Sequence, residues 1–126
     1  MLTYMLSKAE RLNKKIVIEK MFEHGASQSF VIFPFRIVYM PVESGETSIL
    51  ISVSKRYFKQ AVKRNRVKRQ IREAYRLNKK DLLDTLQQHN SGMVIAFMYL
   101  SNELIASEII SEKVRKALLC ISKELS

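Results

Sequence analysis

The chain has 126 residues, 47% of them hydrophobic, and 22 Lys and Arg against 12 Asp and Glu, a formal net charge of +10. That length makes one domain with a real core, and three glycines and two prolines argue against long disordered linkers. A lone cysteine, Cys120, excludes an intramolecular disulfide and has no Cys or His at metal spacing, so it is expected as a small apolar residue beside the core. No apolar run reaches transmembrane length, and Met1 to Leu6 lack the basic start, long apolar stretch and cleavage site of a signal peptide. A cytoplasmic protein is expected.

Residues 1–12 form an irregular lead-in to the single domain 1–126, with Ser7 and Glu10 at the capping-box spacing of one short turn. Asn13 is placed to cap a helix running to Glu23, with Gly25 as its terminator; Val17, Ile18, Met21 and Phe22 make its apolar stripe. Residues 30–40 are rich in aromatic and branched side chains and predict strand. Pro34 has no N–H for a ladder, so the run is expected either to lie at a sheet edge or to break there into two short strands. Residues 41–46 predict a hairpin loop and 47–54 a further strand, whose end sets the hydroxyls of Ser52 and Ser54 beside Lys55 and Arg56. A helix then runs from about Lys59 to 77–80, with 81–89 as ragged helix or loop and Asn90-Ser91-Gly92 as a turn. Residues 93–100 are an apolar run of strand length. Asn102 or Ser107 is placed to cap a last helix, where Ile110, Val114, Ala117, Leu118, Ile121 and Leu125 keep one face. The order is α-β-β-β-α-β-α, a single compact α+β sandwich whose strand order the sequence leaves open.

Charge is concentrated in one place. Residues 55–80 hold twelve basic residues and one acid, Glu73, a net +11 against +10 for the whole chain, so the other hundred residues stand at −1. At about 100° per residue, Val67, Ile71, Ala74, Tyr75 and Asn78 share one side of the helix. Lys68, Arg69, Arg72, Arg76 and Lys79 share another, facing solvent or a partner. Arg69 and Glu73, four apart, offer one local pair. Between 63 and 76 Arg outnumbers Lys five to two, and Arg suits bidentate phosphate contacts. Unpaired like charges one turn apart repel, so the stripe is expected to meet a polyanion.

No catalytic constellation accompanies it. His24 and His89 have no nucleophile or carboxylate at a recognisable spacing, and Asp81 and Asp84, the closest acid pair, lack a third acid. There is no glycine-rich phosphate loop. The residues predict a nucleic-acid-binding module without its own catalysis.

Ser52-Val53-Ser54-Lys55-Arg56, followed by Lys63-Arg64-Asn65-Arg66-Val67-Lys68-Arg69-Gln70-Ile71-Arg72, closely resembles the signature of the bacterial ribonuclease P protein subunit. That signature is a strand ending in Ser-Val-Ser-Lys-Lys or similar, then Arg-Asn-Arg-x-x-Lys-Arg-x-x-Arg on a helix. Arg11-Leu12 and Met21-Phe22-Glu23-His24-Gly25 extend the likeness toward the start of the chain. The resemblance implies a fold similar to the second domain of the fifth protein of the small ribosomal subunit. It also implies a left-handed strand–helix–strand crossover, against the usual rule. It implies association with a large catalytic RNA that holds Mg²⁺ and removes 5′ leaders from precursor tRNA, with no membrane and no obligate protein partner. Carried over by position, Arg64, Asn65, Arg66, Lys68, Arg69, Arg72 and Arg76 would meet the RNA subunit. Phe22, Ser52, Ser54 and Lys55, with Phe33 and Phe35, would border the leader. Ile18 stands where many members have a second Phe, and 93–100 lacks the flanking acid and base common in the family. The alternative is a ribosomal or ribosome-associated structural protein, which would share the basic helix.

Overall fold

A computed structural model describes residues 27–42 and 47–125. The lead-in, the helix expected over 13–23 and Phe22 lie outside the described residues. Four strands and three helices follow: β1 Gln28–Ile32, β2 Phe35–Val42, β3 Thr47–Val53, α1 Ala61–Asn78, α2 Lys80–Gln88, β4 Gly92–Tyr99 and α3 Ser107–Leu125.

The aromatic run breaks where proline demands it. β1 and β2 pair antiparallel on either side of Phe33-Pro34, from Ile32↔Phe35 back to Gln28↔Tyr39. Both alternatives at Pro34 are thus realised together, since β1 is the outer strand in the order β1-β2-β4-β3. β2 continues through Pro41 to Val42, further than the sequence implied. The hairpin expected between β2 and β3 is not formed. β4 inserts between them, antiparallel to β2 and parallel to β3. A strand flanked on both edges and covered on both faces needs apolar side chains in both directions, and Gly92 to Tyr99 is buried at all positions but Met98.

Parallel pairing of β3 with β4 requires a crossover, and α1 and α2 provide it. α1 buries Val67, Ile71, Ala74 and Tyr75, the side expected from its periodicity. α3 buries Ile110, Val114, Ala117, Leu118 and Ile121. These meet Phe35, Ile37, Ile95, Phe97 and Tyr99 in one core. Phe35 packs edge-on against Phe97 and Tyr99, with ring centroids 6.0 and 5.9 Å apart. Cys120, expected beside the core, is exposed on α3. The opposite sheet face carries a second buried set, Val38, Met40, Leu50, Val94 and Ala96.

Helix ends follow local chemistry. The ragged segment is helical: α2 runs to Gln88 with His89 as its C-cap, and Asn90 follows with a φ of 51°, in the left-handed region that Asn tolerates. The Ser91 amide there donates to the Leu86 carbonyl at 3.0 Å. Neither Asn102 nor Ser107 caps α3. The Ala106 carbonyl accepts its first amides, those of Ile109 and Ile110, both at 3.1 Å. The Ser107 hydroxyl instead accepts from Gln70 Nε2 at 3.0 Å, and Gln70 also donates to the Ile105 carbonyl at 2.9 Å, tying α1 to the start of α3.

Candidate nucleic-acid interface

With Val67, Ile71, Ala74 and Tyr75 facing the core, the rest of α1 turns outward. Lys63, Asn65, Arg66, Arg69 and Arg72 are exposed; Arg64, Lys68 and Arg76 are half-buried. Asn65, Arg66, Arg69 and Arg72 thus stand exposed on α1; of the side expected to face outward, Arg69 and Arg72 are exposed and Lys68 and Arg76 half-buried. Arg66 and Arg69 also line, with Gln70, Glu73 and Ser107, an open groove of about 430 Å³ between α1 and α3.

Two details depart from the expected charge pattern. Glu73 pairs with Arg76 rather than Arg69: Arg76 Nε donates to Glu73 Oε2 at 2.9 Å and Nη2 donates to Oε1. That hydrogen bonding holds the Glu73 carboxyl below its ordinary range. Lys79, assigned to the solvent face, is 3% exposed, with its Nζ 5.7 Å from the centroid of the Tyr75 ring. It sits at the junction where α1 gives way to α2, so the projection of a single continuous helix fails there.

α1 begins without help from acids. Its N-cap Gln60 makes no side-chain capping bond, and the first turn carries no Asp or Glu. The preceding segment holds Lys55, Arg56 and Lys59 exposed while Phe58 is buried. Arg64 Nη1 reaches back to the carbonyls of Phe58 and Lys59 at 2.8 and 2.9 Å.

The residues expected to border a leader divide. The pairings Ile32↔Phe35, Phe35↔Tyr99 and Val53↔Tyr99 bring the β1–β2 turn and the ends of β3 and β4 to one end of the sheet. Phe33 at that turn is 64% exposed. Ser54 and Lys55 are exposed at the same end, and Ser52 is exposed one row in. Phe35 is a correction: it is 0% exposed, locked in the core, and offers no ring for a base to stack on. Pro34 explains the error, because the turn resets which of the two phenylalanines faces out.

The register adds a residue that the sequence pattern did not single out. Arg36 pairs with both Val31 and Met98, and Met98 with Ser52, so Val31, Arg36, Met98 and Ser52 form a transverse row. Arg36 is exposed and stands two strand spacings, about 10 Å, from Ser52. Its signal in the sequence was an isolated cation in an apolar strand, two residues before Val38.

Among the described residues no three His, Cys, Asp or Glu side chains come together as a metal cage. No helix among them is long and apolar enough to cross a membrane.

A small α+β domain that displays a long, acid-poor cationic helix beside an open sheet end belongs to the class of RNA-binding proteins. Comparison with known proteins gives the family. The family model described as Ribonuclease P matches residues 6–120. The ribonuclease P protein components of two strains of Porphyromonas gingivalis are 43% identical over 123 residues, 95% of this chain and 88% of theirs. The chain belongs to the ribonuclease P protein family, which serves tRNA processing. In fold it is similar to the Staphylococcus aureus RNase P protein, with a TM-score of 0.69 at 22% identity over 94% of this chain and 100% of that one. It is likewise similar to the Thermotoga maritima RNase P protein, with a TM-score of 0.66 at 21% identity over 86% of this chain and 94% of that one.

Proposed function

We propose that this chain acts as the protein component of the ribonuclease P holoenzyme, binding the catalytic RNA subunit and the 5′ leader of precursor tRNA. The observation that carries this reading is the outer surface of α1, where Asn65, Arg66, Arg69 and Arg72 stand exposed on a helix anchored by its opposite side. In the proposal this surface neutralises phosphates of the RNA subunit, with Lys68 at its margin and Arg76 held to Glu73. The leader crosses the sheet end at Phe33, Ser52, Ser54 and Lys55, to which Arg36 adds a cation. Stacking and backbone charge suit a strand of variable sequence. Mg²⁺ is held mainly by the RNA, which performs the hydrolysis. The protein lowers the Mg²⁺ requirement by screening phosphate repulsion.

Binding to a bacterial ribonuclease P RNA transcript, titrated over a range of salt, tests the first step. Each phosphate neutralised contributes roughly one unit to the slope of log K against log salt. The reading predicts a slope of several units and preference for that RNA over a ribosomal RNA fragment of equal length. Equal affinity for both would favour the ribosome-associated alternative.

A further inference from the structure

The segment between β3 and α1 is fastened at both ends. At its start the Ser54 carbonyl accepts the amides of Tyr57 and Phe58 at 3.1 and 3.2 Å, and the Ser54 hydroxyl accepts the Arg56 amide at 3.0 Å. In its middle Phe58, 5% exposed, lies against Tyr99 with ring centroids 6.0 Å apart. At its end Arg64 Nη1 donates to the carbonyls of Phe58 and Lys59 at 2.8 and 2.9 Å. That nitrogen has two hydrogens, one for each carbonyl. Arg64 can reach them because side chains of a helix lean toward its N-terminus, and Arg64 sits in the first turn.

We propose that Arg64 is a positioning residue. It fixes the loop cations Lys55, Arg56 and Lys59 relative to the helix cations Arg66, Arg69 and Arg72, so that both sets meet the RNA as one prebuilt surface. The inference rests on the proposed function and gives Arg64 a role distinct from the phosphate contact that the family resemblance implies. Without the two hydrogen bonds to the Phe58 and Lys59 carbonyls, the loop must be ordered during binding, at a cost in affinity. A direct phosphate contact would instead make Arg64 act independently of the loop cations.

A double-mutant cycle separates these. The Kd of the full chain for a ribonuclease P RNA transcript is measured for Arg64→Ala alone, in a background with Lys55, Arg56 and Lys59 all changed to Ala, and in an Arg72→Ala background. Arg64→Ala is expected to weaken binding about tenfold alone and with Arg72→Ala, but under about twofold in the loop background. In the free protein it is expected to speed amide exchange at Tyr57 and Phe58. An undiminished loss in the loop background, or unchanged exchange, overturns the positioning role. If Arg64→Ala fails to fold by circular dichroism, Arg64→Lys, which keeps the charge but not the planar fork, takes its place in the cycle. Failure of the wild-type chain to bind the ribonuclease P RNA contradicts the proposed function. The cycle is then run on an oligouridylate, where independent effects of Arg64 and the loop still overturn the positioning role.

Discussion

Arg72 is exposed on α1 while Ile71 beside it is fully buried, so neighbouring residues divide binding from folding. Arg72→Ala is expected to reduce the slope of RNA affinity against salt by about one unit, and to move the unfolding free energy by less than about 0.5 kcal/mol. Parallel salt titrations and denaturant melts check both. Tyr99 makes a prediction in pH. Its hydroxyl donates to the Glu103 carbonyl at 2.6 Å, and burial raises its pKa above the ordinary 10.0. A raised folded value means the contribution is intact below 10.0 and is lost as pH climbs from there toward the folded value. Denaturant unfolding across alkaline pH is expected to show stability falling beyond that point, less steeply in Tyr99→Phe. At this scale the sequence was legible wherever a regular element dictated direction, as for Val67, Ile71, Arg69 and Arg72. It was not legible where the backbone departs from one element: Phe35 turns inward after Pro34, and Lys79 is buried at a helix junction. Arg36 was missed because its significance depends on which strand lies beside it.

α1 is the element on which the account rests, and it is held by packing rather than by its ends. Its N-terminus has no side-chain cap, and its outer surface gathers like charges. Ile71→Ala, at the centre of the buried side, is therefore expected to cost about 2–5 kcal/mol in denaturant unfolding. RNA affinity of the molecules still folded should stay within about twofold, because no outer side chain is altered. The pair of Glu73 and Arg76 adds a weak, salt-sensitive contribution. Because its folded pKa is lowered, that contribution is present above the ordinary 4.5 and disappears as pH falls through the lowered value. Wild type and Glu73→Gln should accordingly converge in thermal melts at acid pH and at high salt. The apolar sides of α1 and α3 were legible because each repeats at the helical period over two or more turns, and the strand at Gly92–Tyr99 because it is an apolar run of strand length behind a turn signal. Helix starts were less so: Ser107 has the chemistry of a cap, but its hydroxyl is engaged by Gln70.

For the whole molecule, the α+β class and the order of elements from β1 onward were legible except for α2, left open as ragged helix or loop, while the sheet order was not. Local patterning identifies strands, and the insertion of β4 between β2 and β3 is a long-range choice. The unbroken apolar run of β4 was its trace, since only a central strand is buried on both faces. That insertion has a spatial result. It carries the end of β3, with Ser52, Ser54 and Lys55, to the same sheet end as Phe33, and α1 departs from there. The cationic helix thus starts near the exposed sheet end, and under the proposed function these would be the two surfaces that meet a catalytic RNA and its substrate. The most direct test of this account is 5′ processing of precursor tRNA at low Mg²⁺, comparing a bacterial ribonuclease P RNA alone, the purified protein alone and the two combined. The account predicts cleavage at the mature 5′ end that the protein strongly accelerates in the mixture, and none by the RNA-free protein. No acceleration in the mixture, or processing by the protein alone, would contradict it.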